Sequence, residues 1–247
     1  MKYILASVFL IFGASQSKTQ TLTQMQSASN GAETQAAYSS YIVNNNNFVL
    51  PTYAHGGDVA GNPYFSKDWA SGTLTTVDNH VFGEGLVFMY SKVDGRLFFR
   101  ENASSVVMQA DPAKILSFTL NTDKPHTFVR TDAFTKEYSG NFYEVLVRDE
   151  KKYSLLKLTT AEFEENTTAA ASNVMTVTSS AGSYSDKVKY YICKDGQLTQ
   201  VSLKKKSFQS TIASDKDKAE KYFQEHSGSF NEDAAIGLIT EINAQVE

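Results

Sequence analysis

From about residue 61 onward, apolar side chains recur at every second position in short runs, and residues that favour tight turns close each run. GNPYFSKDWASG (61–72) leads into TLTTV (73–77), then come HVF (80–82), a GEG turn at 83–85 and LVFMYSKVDGRLFFR (86–100). SVVMQA (105–110) and ILSFTL (115–120) flank a turn at Asp111-Pro112. FYEVLVR (142–148) and KYSLLKLTT (152–160) pair across residues 149–151, and KVKYYICKDGQLTQVSL (187–203) folds back on itself. Asp94-Gly95 and Asp195-Gly196 are hairpin tips, because both positions of each dipeptide tolerate positive φ. Between the last two hairpins, residues 161–185 are polar and small, which predicts a long mobile surface loop with one strand over 174–178.

The period changes after Leu203. Ala219, Tyr222 and Phe223 fall on one helical face, Gly228 stops that helix, and Asn231 caps a last one carrying Ile236, Leu238, Ile239 and Ile242. Ser207 or Ser214 is the expected cap of the first helix, and Lys204, Lys205 and Lys206 mark a solvated sheet edge leading into it. The expected fold class is therefore α+β and mostly β: an antiparallel roll or twisted sheet (56–206) with two C-terminal helices (207–247) on one face or edge.

The N-terminal pattern is of another kind. Lys2 precedes an apolar run over residues 3–14, and small residues at Ser15 and Ser17 follow, which predicts a cleaved secretory signal over 1–17. Residues 18–55 read as a mobile segment, with a loose hairpin over 39–53 around asparagines 44–47. No second apolar stretch approaches spanning length, so the mature chain is expected to lack a transmembrane segment. The one cysteine, Cys193, is far from the apolar run, so the expected location is periplasmic or secreted without a lipid anchor.

Composition narrows the chemistry. A net charge of −4 gives no field for nucleic acid. The sequence lacks a nucleophile elbow, a phosphate-binding glycine loop, paired metal-ligand histidines and a Cys-x-x-Cys, so no cofactor, metal or catalytic residue is assigned. Cys193 reads as a buried, inert strand thiol. His55 lies in a glycine-rich turn, while His80 and His126 are near Asp78 and Asp123 and could form carboxylate–histidine pairs. Glu162, Glu164 and Glu165 could supply dispersed carboxylates. His226 suits the C-terminal end of a helix. Trp69, the single tryptophan, is a candidate stacking platform for a sugar. Tyr190 and Tyr191 point to opposite faces of one strand, so one should be buried and the other free for a partner.

GNPYFSKDWASGTLT, DGRLFFR with DPAKILSFTL, NFYEVLVRDEKKYSLLKL and YYICKDGQLTQVSLKKKSF together resemble a group of secreted Bacteroidota-type proteins, over residues 60–245. The resemblance implies a β-rich domain followed by C-terminal helices and carries no assigned activity. The favoured function is a non-enzymatic secreted or periplasmic envelope protein that binds or scaffolds, its partner an envelope protein or a glycan. The alternatives are a carrier of an apolar ligand between sheet and helices, and a hydrolase using dispersed loop carboxylates.

Overall fold

The computed structural model describes residues 59–101, 106–135, 140–165 and 182–244. The expected signal segment (1–17), the segment 18–55 with its hairpin, His55 and the strand over 174–178 lie outside the described residues. Twelve strands are described: β1 (Val59–Ala60), β2 (Ala70–Thr76), β3 (Val81–Phe82), β4 (Val87–Tyr90), β5 (Leu97–Arg100), β6 (Met108–Gln109), β7 (Ile115–Asn121), β8 (Pro125–Arg130), β9 (Phe142–Val147), β10 (Ser154–Glu165), β11 (Gly182–Lys194) and β12 (Gln197–Val201). They form one twisted sheet in the order β1-β11-β10-β9-β8-β7-β2-β4-β5-β6, with β12 also on β11 and β3 on β2. Neighbours run antiparallel except β1, which lies parallel to β11. The protein is thus α+β and mostly β, with three C-terminal helices: α1 (Lys205–Thr211), α2 (Lys216–Glu225) and α3 (Glu232–Ala244).

One row of side chains runs across eight strands on a single face: Phe82, Leu74, Phe118, Phe128, Glu144, Lys157, Tyr190 and Val201 stand directly opposite one another in turn. The first four belong to a core inside the curled β2–β9 end, where Phe88, Tyr90, Phe99, Phe118, Phe128 and Phe142 fill the space. The last two belong to a second core under the helices, built from Tyr153, Leu155, Ile192, Phe208, Ile212, Leu238, Ile239 and Ile242. Each large side chain so buried contributes about 1.5–3 kcal/mol of transfer free energy. Glu144 and Lys157 interrupt the row between the two cores. The sheet curls until Lys92, after β4, reaches its far end: the Lys92 carbonyl accepts from Ala161 N (3.0 Å), and its ammonium lies 2.6 Å from an Asp186 carboxylate oxygen.

Four expectations need correction. The helices number three because the chain breaks at Ile212 (φ −98°, ψ 40°) into a 3-10 turn, Ala213–Asp215. Neither serine caps a helix: Ser207 lies within α1, and Ser214 sits in that turn. The three lysines stand at the helix entry as expected, with Lys204 and Lys206 exposed and the Lys205 ammonium 5.1 Å from the Phe223 ring centroid. The stretch expected to be loop from 161 is strand up to Glu165, and strand again from Gly182, because Phe163 and Tyr184 stand opposite each other with ring centroids 5.2 Å apart. Finally, Asp94-Gly95 is part of a longer loop in which only Gly95 has positive φ, whereas Asp195 (φ 50°) and Gly196 (φ 74°) form the two-residue turn as expected. Asn231 does cap α3, its side-chain oxygen accepting from Ala234 N at 3.0 Å.

Candidate functional site

The segment leading into β2 crosses the end of the sheet that carries β7 and β8. Phe65 N donates to the Tyr90 carbonyl (2.8 Å), and the Phe65 ring meets His126 and Phe128 edge-on at 5.0 Å each. Ser66 Oγ donates to the Asp68 carbonyl (2.7 Å), tightening the turn before Trp69. Ala70 then enters the core as the first residue of β2, leaving Trp69 half-buried at its mouth. The Arg100 guanidinium stacks over the indole at 4.3 Å.

Across from this strap, the β7–β8 turn presents Asn121, Thr122 and Asp123. Together they line an open groove of about 520 Å³ whose wall also includes Phe65, Lys67, Asp68, Trp69 and His126. This volume is within the usual range for small-molecule sites. The groove combines the Trp69 indole and the Phe65 ring with amide, hydroxyl, carboxylate and cationic groups.

His126 is the best-connected side chain of the groove. It occupies β8, one strand residue after Pro125, and its side chain is 11% exposed. Nε2 lies 3.2 Å from Asp123 Oδ1 at the rim, and Nδ1 lies 2.6 Å from Oε1 of Glu144, whose side chain is 7% exposed. Both ring nitrogens face carboxylate oxygens, so the imidazole donates to both when each nitrogen carries a proton. Thr122 and His126 hold the Asp123 carboxyl well below its ordinary range. Behind the histidine, Glu144 Oε2 lies 3.7 Å from Lys157 Nζ, and Lys157 Nζ lies 2.9 Å from Glu232 Oε2. The Tyr190 hydroxyl donates to the same Glu232 oxygen at 2.7 Å.

Asp123, His126, Glu144, Lys157 and Glu232 thus form a chain of contacts from the groove to the first turn of α3. Burial pushes the Glu232 carboxyl up, but the Tyr190 hydroxyl and the Lys157 ammonium outweigh it and leave the group below its ordinary value. Burial, and then the Glu232 carboxylate, push the Tyr190 phenol well up. The position of Glu232 at a helix N-terminus adds to its preference for the charged form.

Of the sequence-predicted binding residues, only Trp69 lines the groove. Tyr190 and Tyr191 do occupy opposite faces, but both are half-buried, contrary to the expectation of one free ring. Helices cover Tyr190, and Tyr191 packs edge-on against Tyr143 at 5.3 Å among Phe134, Val145 and Leu198. The carboxylate–histidine pairs form at both expected places, His80 Nδ1 lying 2.8 Å from Asp78 Oδ2 in an exposed turn. His226 donates toward the α2 C-terminus, its Nδ1 3.0 Å from the Tyr222 carbonyl.

Glu162, Glu164 and Glu165 are spread along the exposed end of β10, and Glu164 is engaged by Ser185 (2.8 Å) and Lys187 (3.1 Å). Cys193 is buried, its thiol pushed up by burial and its sulfur 3.9 Å from the Phe134 carbonyl. It borders a smaller cavity of about 220 Å³ with Lys152, Ser154 and Lys194. Among the described residues no group of His, Cys, Asp and Glu is placed to hold a metal ion, and no helix is long and apolar enough to cross a membrane. Comparison with protein-family models, with curated proteins and with solved structures finds no match to this chain.

Sequence reading missed Glu144 and Lys157. A signal for them does exist: each sits at the inward parity of its strand, in Phe142–Glu144–Leu146 and Tyr153–Leu155–Lys157, where an apolar residue belongs.

Proposed function

We propose that this is an exported, non-catalytic binding protein whose groove beside Trp69 takes a glycan. The observation that carries the reading is the composition of that groove. A single indole is ringed by Asn121, Thr122, Asp123, Asp68, Lys67 and His126. An aromatic face suits the apolar side of a pyranose, and the surrounding donors and acceptors suit its hydroxyls. The mixed charges of the lining favour a neutral ligand over a strongly anionic one. The carrier reading has less support, because Tyr153, Phe208, Ile212, Leu238 and Ile239 fill the space between the sheet and the helices. The hydrolase reading has less as well, since Glu164 is tied to Ser185 and Lys187 on an open strand.

A glycan array probed with the purified mature protein tests the proposal. Wild type should retain a restricted set of glycans, and Trp69→Ala should lose them while keeping its thermal midpoint. Equal retention by both proteins would refute the groove as the site. Export is tested separately by N-terminal sequencing from native cells. A mature start near residue 18 is expected, and an intact Met1 in the cytoplasm would contradict export.

A further inference from the structure

We infer that the groove holds a sugar between one face of Trp69 and Asn121, which reads a vicinal diol, and that Arg100 is the residue that positions the indole. This rests on the groove being the binding site. Asn121, Ser71, Val87 and Arg100 stand directly opposite one another in turn across β7, β2, β4 and β5. Trp69 lies two residues before Ser71. Asn121 therefore flanks it one strand away on one side and Arg100 two strands away on the other, at about 4.8 Å per strand. The Arg100 guanidinium reaches back over the indole to 4.3 Å from the ring centroid, a distance that places it on the ring face. Arg100 does not line the groove, whereas Trp69 and Asn121 both do. One indole face is thus covered from the β5 side, and the face toward the β7–β8 hairpin is left for a ligand.

The polar groups of the groove differ in what they have left to offer a ligand. His126 commits both ring nitrogens to Glu144 and Asp123, Thr122 donates its hydroxyl to Asp123 (2.8 Å), and Ser66 donates to the Asp68 carbonyl. Among the described residues, no hydrogen bond or ion pair engages the side chains of Lys67, Asp68 and Asn121. Lys67 and Asp68 are exposed neighbours on the strap, where water competes for their charges. Asn121 is the last residue of β7, paired with Ser71 on one side and Pro125 on the other, so its backbone is fixed. Its carboxamide presents an N–H donor and a carbonyl acceptor side by side. Two hydroxyls on adjacent ring carbons match that edge, one accepting from the amide and the other donating to the carbonyl. A carboxylate or phosphate would satisfy the donor and leave the carbonyl facing negative charge, and an ammonium would do the reverse. The apolar side of the same pyranose lies on the open indole face.

Two measurements on the full mature chain test this. Without ligand, acrylamide should quench the single tryptophan more efficiently in Arg100→Met, where the second indole face opens, and Arg100→Lys should return quenching toward wild type. Binding is then measured with the oligosaccharide that wild type retains best on the array, and with two analogues that each lack one hydroxyl of the diol. Wild type should bind each analogue about 3- to 10-fold more weakly than the parent. Asn121→Ala should bind the parent at least as weakly, and should no longer distinguish it from either analogue. Asn121→Asp keeps an acceptor and loses the donor, so it should discriminate only against the analogue lacking the donating hydroxyl. Arg100→Met should weaken parent and analogues by the same factor and keep the discrimination. Unchanged quenching in Arg100→Met, or an Asn121→Ala variant that discriminates as wild type does, would overturn the inference and leave the groove reading intact. If wild type binds no glycan at all, the groove reading fails, and the roles given to Asn121 and Arg100 fail with it.

Discussion

Lys157 stands directly opposite Glu144 in the sheet, its ammonium 3.7 Å from a carboxylate oxygen, in a row that is otherwise apolar on either side. The pair divides the aromatic core of the curled end from the core under the helices. Removing Lys157 leaves the buried Glu144 carboxylate with only the His126 imidazole beside it among the described residues. Lys157→Met is expected to cost about 3 kcal/mol in urea unfolding, and adding Glu144→Gln should recover part of that loss. A double variant less stable than the single one would show that the two side chains are not coupled.

Acid should weaken the anchoring of α3. The folded Glu232 carboxyl lies below its ordinary value, so the stability it contributes is complete above the unfolded value of about 4.3 and is lost as pH falls through the folded one. Asp215 behaves with the same sign: burial raises its carboxyl, but Lys218 and Tyr153 more than reverse that. Thermal midpoints measured between about pH 5 and pH 3 should therefore fall less steeply in Glu232→Gln than in wild type. Parallel curves would contradict the assignment.

Much of the fold is visible in the alternation of the chain, and the exceptions have physical causes. The β4–β5, β9–β10 and β11–β12 pairs follow from apolar parity and turn residues. β8 escapes because Pro125 and His126 open it, and both residue types resemble turn chemistry, although Phe128 and Arg130 continue the inward parity. Trp69 is recognisable as a candidate from its rarity alone. Its partners on the far wall of the groove come from the β7–β8 hairpin, about fifty residues away in the chain, so only the pairing of β2 with β7 brings them to it.

The C-terminal helices should owe their stability to the apolar stripe rather than to the lysines that start α1. Ile239 is fully buried, and Ile239→Ala should cost about 2–5 kcal/mol. Replacing Lys204, Lys205 and Lys206 together by alanine should cost less than about 1 kcal/mol, most of it the Lys205 contact with Phe223. Comparable losses from the two variants in thermal unfolding would reverse this ranking.

Cys193 is 6% exposed in β11, with its thiol pushed up by burial. A soluble maleimide should label it slowly in the native protein and rapidly in denaturant. Rapid native labelling would mean that the β11–β12 hairpin opens readily.

Because Trp69 is the only tryptophan and lines the groove, the intrinsic fluorescence of the unmodified protein reports directly on what enters there. Titration with a neutral oligosaccharide selected from the array should give a saturable change in emission. Asp123→Ala and His126→Ala should shift that curve to higher concentration, whereas Lys187→Ala on the open strand should leave it in place. An emission spectrum that stays constant while the same oligosaccharide is shown to bind by calorimetry would place the ligand elsewhere on the molecule, and would contradict the groove as the binding site.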